Sequence, residues 1–241
     1  MDKIHIDKIK KIIKDKAHGT EFYNRAMFET LIMEVDNLVN KFEIDANSKT
    51  KDILRIINNY VKSNTSIRSE YFDKFSGNVE FFDEDEKIYR TAYAALLRKQ
   101  AMCAGYAELT RILLAMYDIN SYTLLAKLPG KNKKLMHYVV LAEVNENNKV
   151  SYVILNPEIE ASCERKGMDF KRYLNNMTFA IPNELWKENK IGHTGVGIEA
   201  EQFLETTNQN EISDFNSVYR LVKILKEREY DEWKGERWIW M

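Results

Sequence analysis

The hydrophobic pattern of the chain changes character near residue 121, and this limits the fold more than any other feature. Before that point, apolar residues recur at the 3.6-residue spacing of amphipathic helices. Ile4, Ile6, Ile9, Ile12 and Ile13 mark a helix over 2–17. Phe22, Ala26, Leu31, Val35, Leu38 and Phe42 mark one over 21–43, and Ile53, Ile56, Ile57, Tyr60 and Val61 a third over 50–63. The polar stretch 64–82 reads as a loop, long enough to be of the functional kind. A helix with an acidic first turn follows over 84–98, favoured by the helix dipole, and another over 104–117.

After residue 121 the apolar residues are β-branched and aromatic, as in strands. Three strands are expected, at 122–128, 135–144 and 150–155, separated by the turn segments PGKNKK and NENNK. Beyond Pro157 the pattern gives helices near 168–176, 198–205 and 213–229, then an aromatic tail with Trp233, Trp238 and Trp240. Strands that cluster rather than alternate with helices point to an α+β fold, not a doubly wound parallel sheet. Nine Gly and three Pro in 241 residues are few punctuators for a barrel or sandwich of many short strands.

Charge and cysteine content narrow the function. The net charge of −1 lacks the basic excess of a protein built to bind nucleic acid. The lysine-rich first helix reads as a solvated face, because Asp residues are mixed in and aromatic membrane anchors are missing from its stripe. No run approaches the roughly 20 apolar residues of a membrane span, and the N-terminal stretch has no signal-type apolar core. A cytoplasmic protein is the expectation. Two cysteines make no disulfide framework, and four histidines without zinc-type spacing make no recognisable metal site.

Cys103 is expected to open the helix in RKQAMCAGYAELTRILL. Backbone N–H groups and the helix dipole at such a position stabilise a thiolate, the nucleophilic form of cysteine. The small neighbours Ala104 and Gly105 would let a substrate carbonyl approach. Taken alone, a cysteine on an apolar helix is an ordinary packing residue. His137, early in a strand, taken alone reads as a core or edge histidine, and Asn156, before Pro157, as a turn residue. Together, Cys on a helix, His on one strand and Asn at the end of the next have the order of a nucleophilic triad, the third member fixing the imidazole tautomer.

The segment from about 50 to 160 resembles the transglutaminase-like superfamily, a branch of the papain-like fold. The resemblance rests on ILRIINNYVKSN, TAYAALLRKQAMCAGYAELTRILLAMYDINSYTLLAKL, MHYVVLAEV and SYVILNPE. The family's C-x-G-Y-[AS] stretch lands on Cys103, Gly105, Tyr106 and Ala107, its histidine on His137 and its acidic third residue on Asn156. Two departures are visible: His137-Tyr138-Val139 replaces His-Ala-Trp, and Asn replaces Asp. Glu158 is the nearest acidic substitute for Asn156.

The resemblance implies a nucleophile-bearing helix packed on an antiparallel sheet, with added helices at both ends. The expected organisation is one compact domain over 1–241, with an N-terminal extension 1–48, a core 49–165 and a mainly helical extension 166–241. It implies a cysteine enzyme that acts on amide bonds of a protein or peptide through a thioester, without metal or organic cofactor. A peptidase or amidase is favoured over a transamidase, because the acidic calcium loops of animal cross-linking enzymes are not evident. The alternative is a catalytically inactive scaffold that binds a protein partner.

Gln100 and Tyr93 are candidates for a second oxyanion donor beside the Cys103 N–H, and Gly105 and Tyr106 for the substrate cleft. Cys163, in a charged and surface-like segment, reads as an incidental thiol. His193 reads as a loop residue, and His5 and His18 as structural.

Overall fold

Apolar residues cover every face of the segment around Cys103, and a helix of that kind belongs at the centre of a core. In the computed structural model this segment is a helix buried along nearly its whole length. The structure describes residues 3–17, 23–68, 87–127, 135–146, 149–169, 178–180 and 239–240. The chain divides into two compact units, Met1–Ser121 and Tyr122–Met241.

The first unit holds helices α1 (Lys3–Lys16), α2 (Arg25–Val39), α3 (Thr50–Asn64) and α4 (Cys103–Met116). They correspond to the helices expected over 2–17, 21–43, 50–63 and 104–117. The α4 helix packs against the other three. Its Leu109, Ile112, Leu113 and Leu114 are fully buried, as are Ile9 and Ile13 of α1, Leu31 of α2, and Leu54 and Ile57 of α3. His5 joins α1 to α2, its Nε2 lying 2.8 Å from Asp36 Oδ1.

The single helix expected over 84–98 is not continuous. Its acidic start, 84–86, lies outside the described residues. The rest is a 3-10 turn at Ile88–Arg90 followed by a π-helical turn at Ala94–Arg98. The break is at Thr91, whose backbone is extended. Its hydroxyl donates to Ile88 O at 2.6 Å and accepts from the Ala94 N–H at 3.4 Å. The Ala92 N–H donates to Glu108 Oε1 at 3.0 Å. Local side-chain partners thus satisfy amides that a continuous helix would have used.

From there the backbone is guided into α4. Two short strands, β1 (Ser66–Ile67) and β2 (Gln100–Ala101), pair in parallel. The Met102 N–H donates to Tyr89 O at 2.7 Å, and Met102 takes the extended conformation of a helix cap.

The second unit carries a sheet of β3 (Ser121–Lys127), β4 (Leu135–Glu146), β5 (Lys149–Leu155), β6 (Thr178–Ala180) and β7 (Ile239–Trp240). The first three are the expected strands. The order is β5-β4-β3-β6, with β7 pairing in parallel to the start of β4. Antiparallel pairing of β4 with β5 runs from Glu146↔Lys149 to Val140↔Leu155. Val139, Val140, Leu141, Ala142 and Val144 are all buried, the near-continuous apolar run of a strand covered on both faces.

Helix α5 (Pro157–Lys166) follows β5 directly and was not expected. The expected helices over 198–205 and 213–229, nearly all of that near 168–176, and the residues His18, His193, Trp233 and Trp238 lie outside the described residues. No helix among the described residues is long and apolar enough to cross a membrane. The fold is α+β, as the clustering of the strands implies.

Gly105 shows how tightly α4 is seated. A Cβ there would stand 2.9 Å from Thr91 O, Tyr89 O and Ala101 Cβ. Two of the three are backbone atoms of the turns that lead into the helix. Gly105→Ala is expected to destabilise the first unit by about 1–3 kcal/mol, the usual cost of overpacking. Chemical denaturation measures this, and an unchanged midpoint would show that the turns yield without cost.

Candidate active site

Cys103 is the first residue of α4 and is 2 % exposed. Its preceding cap residue, Met102, makes no side-chain capping bond. The amides of the first turn are the groups that a helix leaves without intrahelical partners, and they carry its positive end. Neither Cys103 nor Cys163 forms a disulfide.

The two residues after Ala104 have packing roles. Gly105 fits where no side chain does. The Tyr106 phenol is buried and donates to Thr65 O at 2.6 Å, tying α4 to the end of α3. Gln100 is an exposed residue of β2. Tyr93 is half-buried, and its backbone N–H reaches the Tyr23 hydroxyl at 3.4 Å. That hydroxyl donates in turn to Glu108, whose carboxylate is fully buried. Sequence reasoning passed over this Tyr23–Glu108–Ala92 network, because a single Glu on an apolar helix carries no mark of its distant partners.

The second unit holds the remaining chemistry. His137 lies three residues before Val140, where the β4–β5 pairing ends, and Asn156 directly follows the last residue of β5. The antiparallel register brings both to the same end of the sheet. There His137 Nε2 and Asn156 Oδ1 are 2.9 Å apart, with both residues buried. Asn156 is also the N-cap of α5, and its Oδ1 accepts from the Ile159 N–H at 3.4 Å. That second bond fixes the amide orientation, since only the oxygen can accept it. The oxygen therefore faces the imidazole, Nε2 carries the proton, and Nδ1 keeps its lone pair.

The sequence carries the local signals for this arrangement. Asn156 before Pro157 is a cap followed by proline at the first helical position. Glu158 and Glu160 lie in the first turn and Arg165 and Lys166 in the last. Gly167, with φ 61°, closes the helix in the left-handed region. On this helix Cys163 is buried, which corrects its reading as a surface-like thiol. Burial pushes its thiol up from the ordinary value.

Glu158 does not take the place of Asn156. Its Oε2 lies 4.0 Å from the other imidazole nitrogen, Nδ1. Both groups are almost wholly removed from water. Desolvation lowers His137 to about 4, against a smaller upward effect of the Asn156 bond. Desolvation raises Glu158 to about 8, and the Arg165 charge only partly offsets it.

A carboxyl that keeps its proton in the folded chain costs stability wherever the unfolded chain has lost it. The Glu158 contribution is neutral below its ordinary value of 4.5 and becomes unfavourable as pH rises from there to about 8. At about 1.4 kcal/mol per pH unit, the total reaches a few kcal/mol. Glu158→Gln is therefore expected to gain stability relative to the native chain across that window. Denaturant midpoints at several pH values test this, and parallel curves for the two proteins would contradict it.

Comparison with known proteins adds an independent line. A family model described as "Transglutaminase-like domain" matches residues 33–156. Among solved structures, a chain described as "Crystal structure of a TGase" is similar, at 16% identity and a TM-score of 0.42. The similarity covers 56% of this chain and 33% of that one, so this chain spans about a third of the other's length. No curated protein matches the chain. The family match takes in just over half of the 241 residues, from within α2, through α4 and its Cys103, to Asn156 at the end of β5, and the chain belongs to the transglutaminase-like domain family.

Proposed function

We propose that this protein is a cysteine enzyme that cleaves or transfers amide bonds of a protein or peptide substrate through a Cys103–His137–Asn156 triad. The observation that carries the reading is the buried Asn156–His137 hydrogen bond, which commits Nε2 as donor and leaves Nδ1 as the basic nitrogen. An imidazole so oriented is what a thiol nucleophile needs. The family match, which takes in all three residues, supports the same reading.

In this reaction His137 Nδ1 accepts the Cys103 thiol proton as the sulfur attacks the amide carbonyl. Nδ1 then returns the proton to the leaving amine, and a thioester remains on Cys103. Water resolves it in a peptidase or amidase, and an amine in a transamidase. Hydrolysis is the favoured outcome. The backbone amides at the start of α4 are the donors available to the developing oxyanion.

The test is alkylation by iodoacetamide near neutral pH, followed by peptide mapping, together with a panel of amide and glutamine substrates. Rapid modification confined to Cys103, with turnover of a panel member, supports the enzyme. Cys163 serves as the internal reference, since burial raises its thiol. The second reading, an inactive scaffold that binds a protein partner, draws on the 2 % exposure of Cys103. Slow modification of both cysteines and no turnover would favour it.

A further inference from the structure

Burial sets His137 a problem that the Asn156 bond does not solve. Asn156 orients the ring, but it is neutral, and the imidazole is driven down to about 4. A ring in that state resists becoming imidazolium, which the acyl transfer proposed above requires. What burial opposes is net charge, so a nearby group of opposite sign relieves the difficulty.

We propose that Glu158 is the acidic partner of His137, standing on its Nδ1 side and supporting the imidazolium as it forms. The inference rests on the Cys103–His137–Asn156 reading and adds a fourth residue to it. Three observations carry it. The Glu158 Oε2 lies 4.0 Å from Nδ1. The carboxyl is 4 % exposed, and Oε2 has no hydrogen-bond partner among the described residues. Asn156 and Glu158 flank Pro157 in the first turn of α5, so one helix start addresses both ring nitrogens.

The support is a charge, and the proton that moves is the thiol's. Burial holds the carboxyl near 8, so at mildly alkaline pH it has released its proton to solvent and stands as a carboxylate near a neutral imidazole. When Cys103 attacks, its S–H bond breaks, the electron pair stays on sulfur and an N–H bond forms at Nδ1. Carboxylate and imidazolium together are net neutral, so burial penalises this state less than an isolated imidazolium. At 4.0 Å the carboxyl stands outside hydrogen-bonding distance and leaves the Nδ1 lone pair open to another proton donor. Within this unit the other groups acting on the pair are neutral Asn156 and the cationic Arg165 on α5. The charge that an Asp in the third position would have brought to Nε2 is supplied instead on the opposite nitrogen.

The experiment is ring nitrogen-15 NMR of His137 in the full chain across neutral and mildly alkaline pH, in the native protein and in Glu158→Gln. The native chain is expected to show a step in the His137 shifts near pH 8, where the carboxyl ionises, and the variant to lack it. On the alkaline side of that step the variant is also expected to lose at least about tenfold in kcat, equal to one unit of imidazole basicity, with KM little changed. A native chain without the step overturns the proposal even if the variant does not fold. A step that persists in the variant, or an unchanged kcat beside a lowered Tm, overturns it as well. If Cys103→Ser retains turnover while the NMR step is present, the triad reading fails and the Glu158–His137 pair remains.

Discussion

Cys103→Ser is expected to abolish amide turnover, by ~10⁴-fold or more, while the fold stays intact. Serine keeps the size of the side chain, so the crowded start of α4 accommodates it. Its hydroxyl has a pKa far above the roughly 8.5 of a free thiol and supplies almost no anion at neutral pH. Single-turnover rates and melting temperature should be measured on the same preparation. Unchanged turnover would end any mechanism centred on this cysteine. A large fall in melting temperature would instead assign it to packing and favour the inactive scaffold.

His137→Ala is expected to remove nearly as much activity, because members of one proton-transfer unit do not contribute additively. The Asn156 variants separate two effects that the structure joins in a single oxygen. Asn156→Ala loses both the imidazole acceptor and the α5 cap. It should lower the rate less than His137→Ala does and cost about 1 kcal/mol of stability through the cap. Asn156→Asp keeps an acceptor at both bonds and adds a charge beside Nε2. It should hold or raise the rate relative to the native chain and restore the stability lost in the alanine variant. If Asn156→Ala changes only the stability, the hydrogen bond to His137 has no part in turnover.

Much of the architecture was legible in the sequence because it is local. The helices α1 and α3 announce themselves by the period of their apolar residues, and the strands β3 to β5 by their β-branched and aromatic content. The pairing of His137 with Asn156 could be anticipated because a short hairpin connection places both at one end of two strands. The break at Thr91 could not, since it depends on Glu108 reaching Ala92 from another element. Helix α5 was passed over although Asn156, Pro157 and Gly167 mark both its ends. Five charged residues dilute its apolar stripe, so its caps mark it where periodicity does not. The position of Glu158 at Nδ1 follows from the start of that helix and was lost with it.

The seating of α4 bears on how relatives of this chain should be interpreted. A side chain at Gly105 would press on the Thr91 and Tyr89 carbonyl oxygens and the Ala101 Cβ, and the Tyr106 hydroxyl closes a contact with Thr65. Both requirements come from the scaffold and would persist unchanged in a descendant that had lost its nucleophile. A search that scores glycine and tyrosine after the cysteine therefore recovers shape, and it ranks living and dead members of a lineage alike. Under the proposed triad, sorting them calls for the positions of Cys103, His137 and Asn156, scored as a set and with Gly105 given no weight.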